Sequence, residues 1–541
     1  MEKVKKLLSY HKLNVTKVLL ICFFASLVII PLVLMLTNID GNSLKAVFNS
    51  EGFGKLIWNS LFATTVSTLF VLMIAYLLAV CVERTKIRFK SGLNIILVLP
   101  MLIPSISHGM GLVVMFGNNG LITNLLNIDG NIYGFHGIVI GSVLYAFPVA
   151  YLMISDVLKY QNCFPYQAAK VLGIPKWRQF TSITLPYLRK PLISVTLAVF
   201  TMIITDYGIP LMVGGKYKTL SVVLYQEVIG QLNFSKGSVY GMILLIPAVI
   251  GFIFDTLSKD KGNSSYVLDT VIIKKNTFRD LVASIFCGLI SFFSLLPIAV
   301  FVILAFAKKY PSDISFTLKN IEDSLRLKAG TYLINSIEIA IFVAAIGVLV
   351  AFITAYLTAR MKTGISKVLH LATITSAAIP GVVLGLSYIL TFKGSFIYGT
   401  LAILIMVNII HFISSPYLMM YNSLSKLNEN LESVGHTMGV SRFHIITDVI
   451  IPQCRFTLME MFSYFFVNSM MTISAVSFLA TTANKPVALM INQFEAQMQL
   501  EAAAVVSLSI LFINLLIKAT GYLIKRNFKG GTASQMRVLH R

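Results

Sequence analysis

Within the apolar stretches of this 541-residue chain, a few polar side chains recur at a spacing that could serve transport chemistry. Ser194, Ala198, Met202 and Asp206 form one row of residues four apart. Shifting by 266 positions gives a second row, Glu460, Tyr464, Asn468 and Thr472. Residues four apart share a helix face, and a carboxylate or amide inside a membrane is costly enough to suggest function. Asp206, Glu460, Tyr464, Asn468 and Thr472 are therefore candidates for lining a polar route along a seam between helices. The same groups could instead hydrogen-bond helix to helix and hold a bundle together. Both readings stay open at this stage.

Other chemistries lack their residues. No paired carboxylates, HExxH or nucleophile–base set points to catalysis, so no catalytic residue is assigned. Five cysteines (Cys22, Cys81, Cys163, Cys287, Cys454) are scattered without a CxxC pair. His108 and His411 stand alone on apolar stretches and read as packed histidines, so no metal site is assigned. Lys55 and Lys216 follow glycines, but Leu56 and Tyr217 occupy the hydroxyl position of a nucleotide-binding loop. The chain is expected to hold no cofactor of its own.

The elements that would position the polar rows are membrane helices. Apolar residues make up 56% of the chain and charged residues only 12%, far from the balance of a soluble protein. A bilayer core needs roughly 20 apolar residues per helix. Twelve stretches qualify: 17–36, 57–82, 93–116, 135–158, 191–213, 237–256, 280–306, 332–359, 368–392, 397–419, 457–480 and 502–524. The basic start MEKVKKLLSYHK precedes an apolar run too long for a signal peptide, which implies a retained helix. With both termini in the cytoplasm, roughly 31 Lys/Arg fall inside and roughly 12 outside. Segment 83–92 carries four and loop 117–134 none, while external loop 307–331 breaks the trend with five. The net charge of +22 thus reports topology in a lipid bilayer, not nucleic-acid binding.

The pattern divides into two parallel repeats of six helices, residues 1–256 and 280–541, joined by a polar cytoplasmic linker at 257–279. WNSLFATTV around Asn59 matches INSIEIAIF around Asn335, and AYLLA at 75–79 matches AYLTA at 355–359. The expected fold class is an all-α polytopic membrane protein with a pseudo-twofold path between its halves.

One polar loop recurs between the fourth and fifth helix of each half, within 160–190 and 423–456. Copy one has Gln167, Ala168 and Ala169, then Gly173 and Pro186; copy two has Glu432, Ser433 and Val434, then Gly439 and Pro452. Glycine and proline are 13 residues apart in each. The reading is helix, tight turn, helix. Gly173 and Gly439 suit a left-handed C′ position, and Pro175 or Ser441 suits the start of the next helix. Pro186 and Pro452 mark a break before the following membrane helix. The small Ala168 and Ala169 would let another surface approach.

This pattern resembles the EAA---G---------I-LP loop of permease subunits in bacterial binding-protein-dependent ABC importers. Ile183, Leu185 and Pro186 match its tail, as do Val449, Ile451 and Pro452 less closely. Gln167 replaces the usual acid, and Glu432 lies one residue early. The resemblance covers nearly the whole chain as two fused permease domains. It implies a cell-membrane protein of the type I importer fold, whose loops dock two copies of a cytoplasmic ATPase that uses the ATP and Mg. It also implies an extracytoplasmic binding protein that delivers a small solute. The stretch from Thr205 to Asp255 resembles 2-aminoethylphosphonate permeases most and ferric iron permeases next, within a branch that also handles thiamine and polyamines. An ion-gradient-driven secondary transporter is the rival, and it would not need two such loops.

Overall fold

The computed structural model describes residues 14–127, 131–258, 273 and 275–539. The basic start at 1–12 and most of the linker expected at 257–279 lie outside the described residues. The first half contributes α1 (Asn14–Thr37), α2 (Phe53–Arg84), α3 (Ser105–Phe116), α4 (Phe135–Lys159), α5 (Lys176–Thr205) and α6 (Phe234–Ser258). The second contributes α7 (Thr277–Phe306), α8 (Ala329–Ala359), α9 (Gly381–Phe392), α10 (Leu401–Phe412), α11 (Ser414–Ser425), α12 (Ile451–Met471) and α13 (Leu500–Leu539). A small hairpin, β1 (Ala307–Lys309) with β2 (Asp313–Phe316), follows α7.

Nine helices among the described residues are long and apolar enough to cross a membrane, or eleven if two bent pairs each count as one span. The sequence suggested twelve uninterrupted stretches, and the differences lie at breaks. Stretch 93–116 is divided: a helix over Lys90–Val98, a 3-10 turn over Leu99–Leu102, then α3 after Pro104. Stretch 368–392 bends by 106° before α9, at Pro380. Stretch 397–419 bends by 53° between α10 and α11. Proline cannot donate the helical hydrogen bond and pushes its predecessor out of the helical region, which accounts for the breaks at 104 and 380. The expected helix 457–480 is displaced: α12 starts at Ile451 and ends at Met471.

The breaks obey the repeat. After the turn, both α3 and α9 run 12 residues. Each reaches a glycine–serine contact whose members are exchanged between halves. A Cβ on Gly208 would stand 2.6 Å from Ser105 Oγ, while one on Gly381 would collide with Ser474 Oγ.

The repeated Asn-Ser pairs have a shared task. Asn59 Nδ2 donates to Lys218 O at 3.4 Å, and Asn335 Nδ2 to Ala483 O at 3.1 Å. Ser60 Oγ accepts the Leu220 N–H and Ser336 Oγ the Val487 N–H, both at 2.8 Å. Each pair fastens α2 or α8 to the irregular backbone that follows the broken fifth helix, where peptide groups need partners.

The first helix of each half lies on the other half. α1 packs on α9, and Tyr388 Oη donates to Leu27 O at 2.9 Å. α7 packs on α2 and α3, close enough that a Cβ on Gly111 would stand 2.8 Å from Pro297 Cβ.

Candidate functional site

Each polar loop is closed by the same backbone device. In copy one, the helix Phe164–Val171 ends at Gly173, whose φ is +67°. The Ile174 N–H donates to Ala169 O at 2.9 Å and the Gly173 N–H to Lys170 O at 3.2 Å. In copy two, the helix Leu431–Thr437 ends at Gly439 with φ +73°. There the Val440 N–H donates to Gly435 O at 2.9 Å and the Gly439 N–H to His436 O at 3.1 Å. These are paired 6→1 and 5→2 bonds, a Schellman closure that requires the left-handed residue. Pro175 and Ser441 begin the next helices, and Ser441 Oγ accepts the His444 N–H.

The prolines correct the sequence reading. Pro186 and Pro452 do not interrupt the chain's helices; each follows a π-turn, Phe180–Thr184 or Ile446–Ile450, and helix continues through it. Widening to i→i+5 bonding moves the carbonyl that a proline ring would strike. The position of Ala169 also reads differently. Ala169 is buried, and its counterpart Gly435 packs against Ile445, the loop's own second helix. Gln167, Ala168 and Ser433 are exposed.

Apolar groups project from matching places on the two loops. Leu172 and Met438 are each 74% exposed, and Trp177 and Phe443 are 63% and 71% exposed. Each pair is separated by 266 positions. Large apolar side chains exposed at matching places on polar loops make these positions candidates for a contact surface.

Sequence reasoning missed the anchors beneath the loops. Arg360, just beyond α8, buries its guanidinium: Nη1 donates to Leu427 O at 2.9 Å and Nη2 to Asn428 O at 2.6 Å. Its Nε donates to Glu432 Oε1 at 2.8 Å, and Nη2 pairs with Oε2. Arg84, ending α2, repeats this: Nη2 donates to Leu158 O at 3.2 Å and to Gln161, and the guanidinium lies 5.9 Å from the Tyr166 ring centroid. Tyr166 and Glu432 are 266 apart, so a cation–π contact in one half replaces an ion pair in the other. The only sequence signal was an arginine at the end of each long apolar run.

The membrane rows are distributed over two places. α5 ends at Thr205 and α12 at Met471, so Asp206 and Thr472 are the first extended residues after equivalent helices. Asp206 Oδ2 accepts the Ile209 N–H at 3.0 Å, capping a short helix, Gly208–Val213, and its backbone O accepts from Ser221 Oγ at 2.8 Å. The two breaks adjoin: Tyr207 Oη bonds Ser477 Oγ and Ile473 O across the halves. Asn468 Nδ2 donates to Tyr464 O at 2.8 Å, within α12. Glu460 stands apart, paired with Lys525 of α13 at 2.9 Å, with 58% of its side chain exposed. A cavity of about 10 Å3 beside Ser60, Thr64, Asp206, Thr219 and Ser221 has room for one water at most. His108 Nδ1 lies 3.3 Å from Pro104 O, and its ring meets Tyr145 edge-on.

The family profile described as the binding-protein-dependent transport system inner membrane component matches twice, over residues 72–259 and 347–530. The ferric transport system permease protein FbpB of Actinobacillus pleuropneumoniae is 27% identical over 450 residues, covering 79% of this chain and 65% of that protein. This chain therefore spans about two thirds of that relative's length. The thiamine transport system permease protein ThiP of Haemophilus influenzae is 23% identical over 218 residues, 38% of this chain and 40% of that one. Among solved structures, a bacterial ABC transporter involved in the import of the acidic polysaccharide alginate aligns at 20% identity and a TM-score of 0.40. That match covers 48% of this chain and 98% of the other.

Proposed function

The chain belongs to the family of binding-protein-dependent transport system inner membrane components, and from that premise we propose that it is the fused permease of an ABC importer. Both permease copies lie in one polypeptide. The two loops are the handles of two copies of a separate ATPase subunit, which supplies ATP and Mg. A solute-binding protein on the opposite side of the membrane delivers the cargo. Relatives named for ferric transport favour ferric iron over the 2-aminoethylphosphonate suggested by the segment from Thr205 to Asp255.

One observation carries this reading. Two loops, closed by identical backbone bonds at equivalent positions, each present a large apolar pair, Leu172 with Trp177 and Met438 with Phe443. A path-lining role alone would leave no use for them. In the membrane, the adjoining breaks at Asp206 and Thr472 form the gate. Tyr464 and Asn468 lie on its approach along α12, and Glu460, near the middle of that helix, is held by Lys525. Closure of the ATPase pair on ATP pulls the handles and turns the halves outward; hydrolysis resets them.

The test is co-purification of the chain with its ATPase subunit, followed by radiolabelled ferric citrate uptake in vesicles with the binding protein. Trp177→Ala with Phe443→Ala should release the ATPase and abolish uptake. Uptake that proceeds without nucleotide would instead support an ion-gradient-driven carrier.

A further inference from the structure

Building on the reading of the loops as ATPase handles, we infer that each handle is gripped by the first helix of the opposite half, with Lys17 and Asp280 as the positioning residues. Lys17, on α1, is only 1% exposed. Its ammonium donates to Met361 O at 2.6 Å and to Thr363 Oγ1 at 3.0 Å. Those acceptors lie one and three residues beyond Arg360, whose guanidinium holds the second loop through Leu427, Asn428 and Glu432. On the other side, Asp280 at the start of α7 is 8% exposed. Its Oδ1 accepts the Lys86 N–H at 3.2 Å, two residues beyond Arg84, which holds the first loop.

The chemistry is inverted between halves while the geometry is kept. One clamp is an ammonium on a carbonyl; the other is a carboxylate on an amide. Asp280 is additionally steadied by the Asn276 N–H at 3.1 Å and the Arg279 guanidinium at 2.7 Å. A buried charge fixes its partners tightly, because losing them leaves it unsolvated. The line of contact therefore runs from loop to arginine, from arginine to turn, and from turn into the other half. A pull on either handle displaces the first helix of the opposite half, and neither half moves alone.

Hydrogen exchange on the full chain in lipid nanodiscs tests this. Lys17→Met should speed exchange about tenfold over 424–440 and leave 158–174 unchanged; Asp280→Leu should do the reverse. Lys17→Arg and Asp280→Asn, which keep the donor and the acceptor, should restore protection. Acceleration in the variant's own half, in both loops equally, or in neither overturns the inference, and each arm is an independent test should one variant fail to insert. Adding the ATPase separates the two claims. If it protects both loops but the crossed pattern is missing, the clamps fall alone; if the crossed pattern appears and the ATPase protects neither loop, the handle reading falls.

Discussion

Gly439→Val isolates the turn from everything around it. The residue has φ +73°, and a Cβ placed there would meet no atom within 4 Å. The cost is therefore backbone strain alone: about 1–2 kcal/mol for a side chain in the left-handed region, and at the upper end for a β-branched one. That shifts the balance between the closed turn and its opened forms by a factor of roughly 5–30. Opening releases the Val440 N–H from Gly435 O and splays Met438 and Phe443. Insertion and helix content should remain at wild-type levels, while ATP consumed per cargo imported rises several-fold. Gly439→Asn, which tolerates this conformation, should stay near wild type, and Gly173→Val at φ +67° should match Gly439→Val. Wild-type coupling and wild-type exchange at Val440 in the valine variant would refute the reasoning.

Other perturbations have distinct expected outcomes. Arg360→Met strands a Glu432 carboxylate whose side chain is only 13% exposed, at a cost of about 3–5 kcal/mol; limited proteolysis should cut the second loop first, with the first loop spared. Asp206→Leu leaves the Ile209 N–H without its acceptor and should lower the unfolding midpoint by an amount equivalent to about 1–3 kcal/mol. Asp206→Asn should hold that midpoint, so reduced uptake in the asparagine variant alone reports a role for the charge in the path. Gly347→Leu forces a Cβ to within 2.7 Å of the Phe465 ring and should destabilise the α8–α12 packing by about 1–3 kcal/mol, read by thermal unfolding in detergent.

The turns of the two polar loops were legible because their chemistry is local: a glycine at the C′ position reports a left-handed closure. The existence of the membrane helices was equally plain from apolar run length. The breaks at Pro104 and Pro380 were not, because those prolines sit inside stretches whose hydropathy is uninterrupted. Asp206 and Thr472 aligned correctly by position, yet the contact that joins the two breaks, Tyr207 Oη with Ile473 O and Ser477 Oγ, belongs to tertiary structure. The surroundings of Glu460 were hidden for the same reason, since Lys525, its partner, lies 65 residues onward. Arg84 and Arg360 look like ordinary basic residues at a membrane edge until the loops are folded over them.

The glycine and serine that trade places between halves constrain how such a chain can be rebuilt. Each half carries a matched set, glycine facing serine at 208 and 105 and the opposite assignment at 474 and 381. Grafting the segment around Ser105 into the second half would set hydroxyl against hydroxyl where space exists for one. The reverse graft would face glycine with glycine and open a void. Recombinants of the two halves should therefore survive only when the crossover keeps the third helix together with the broken end of the fifth.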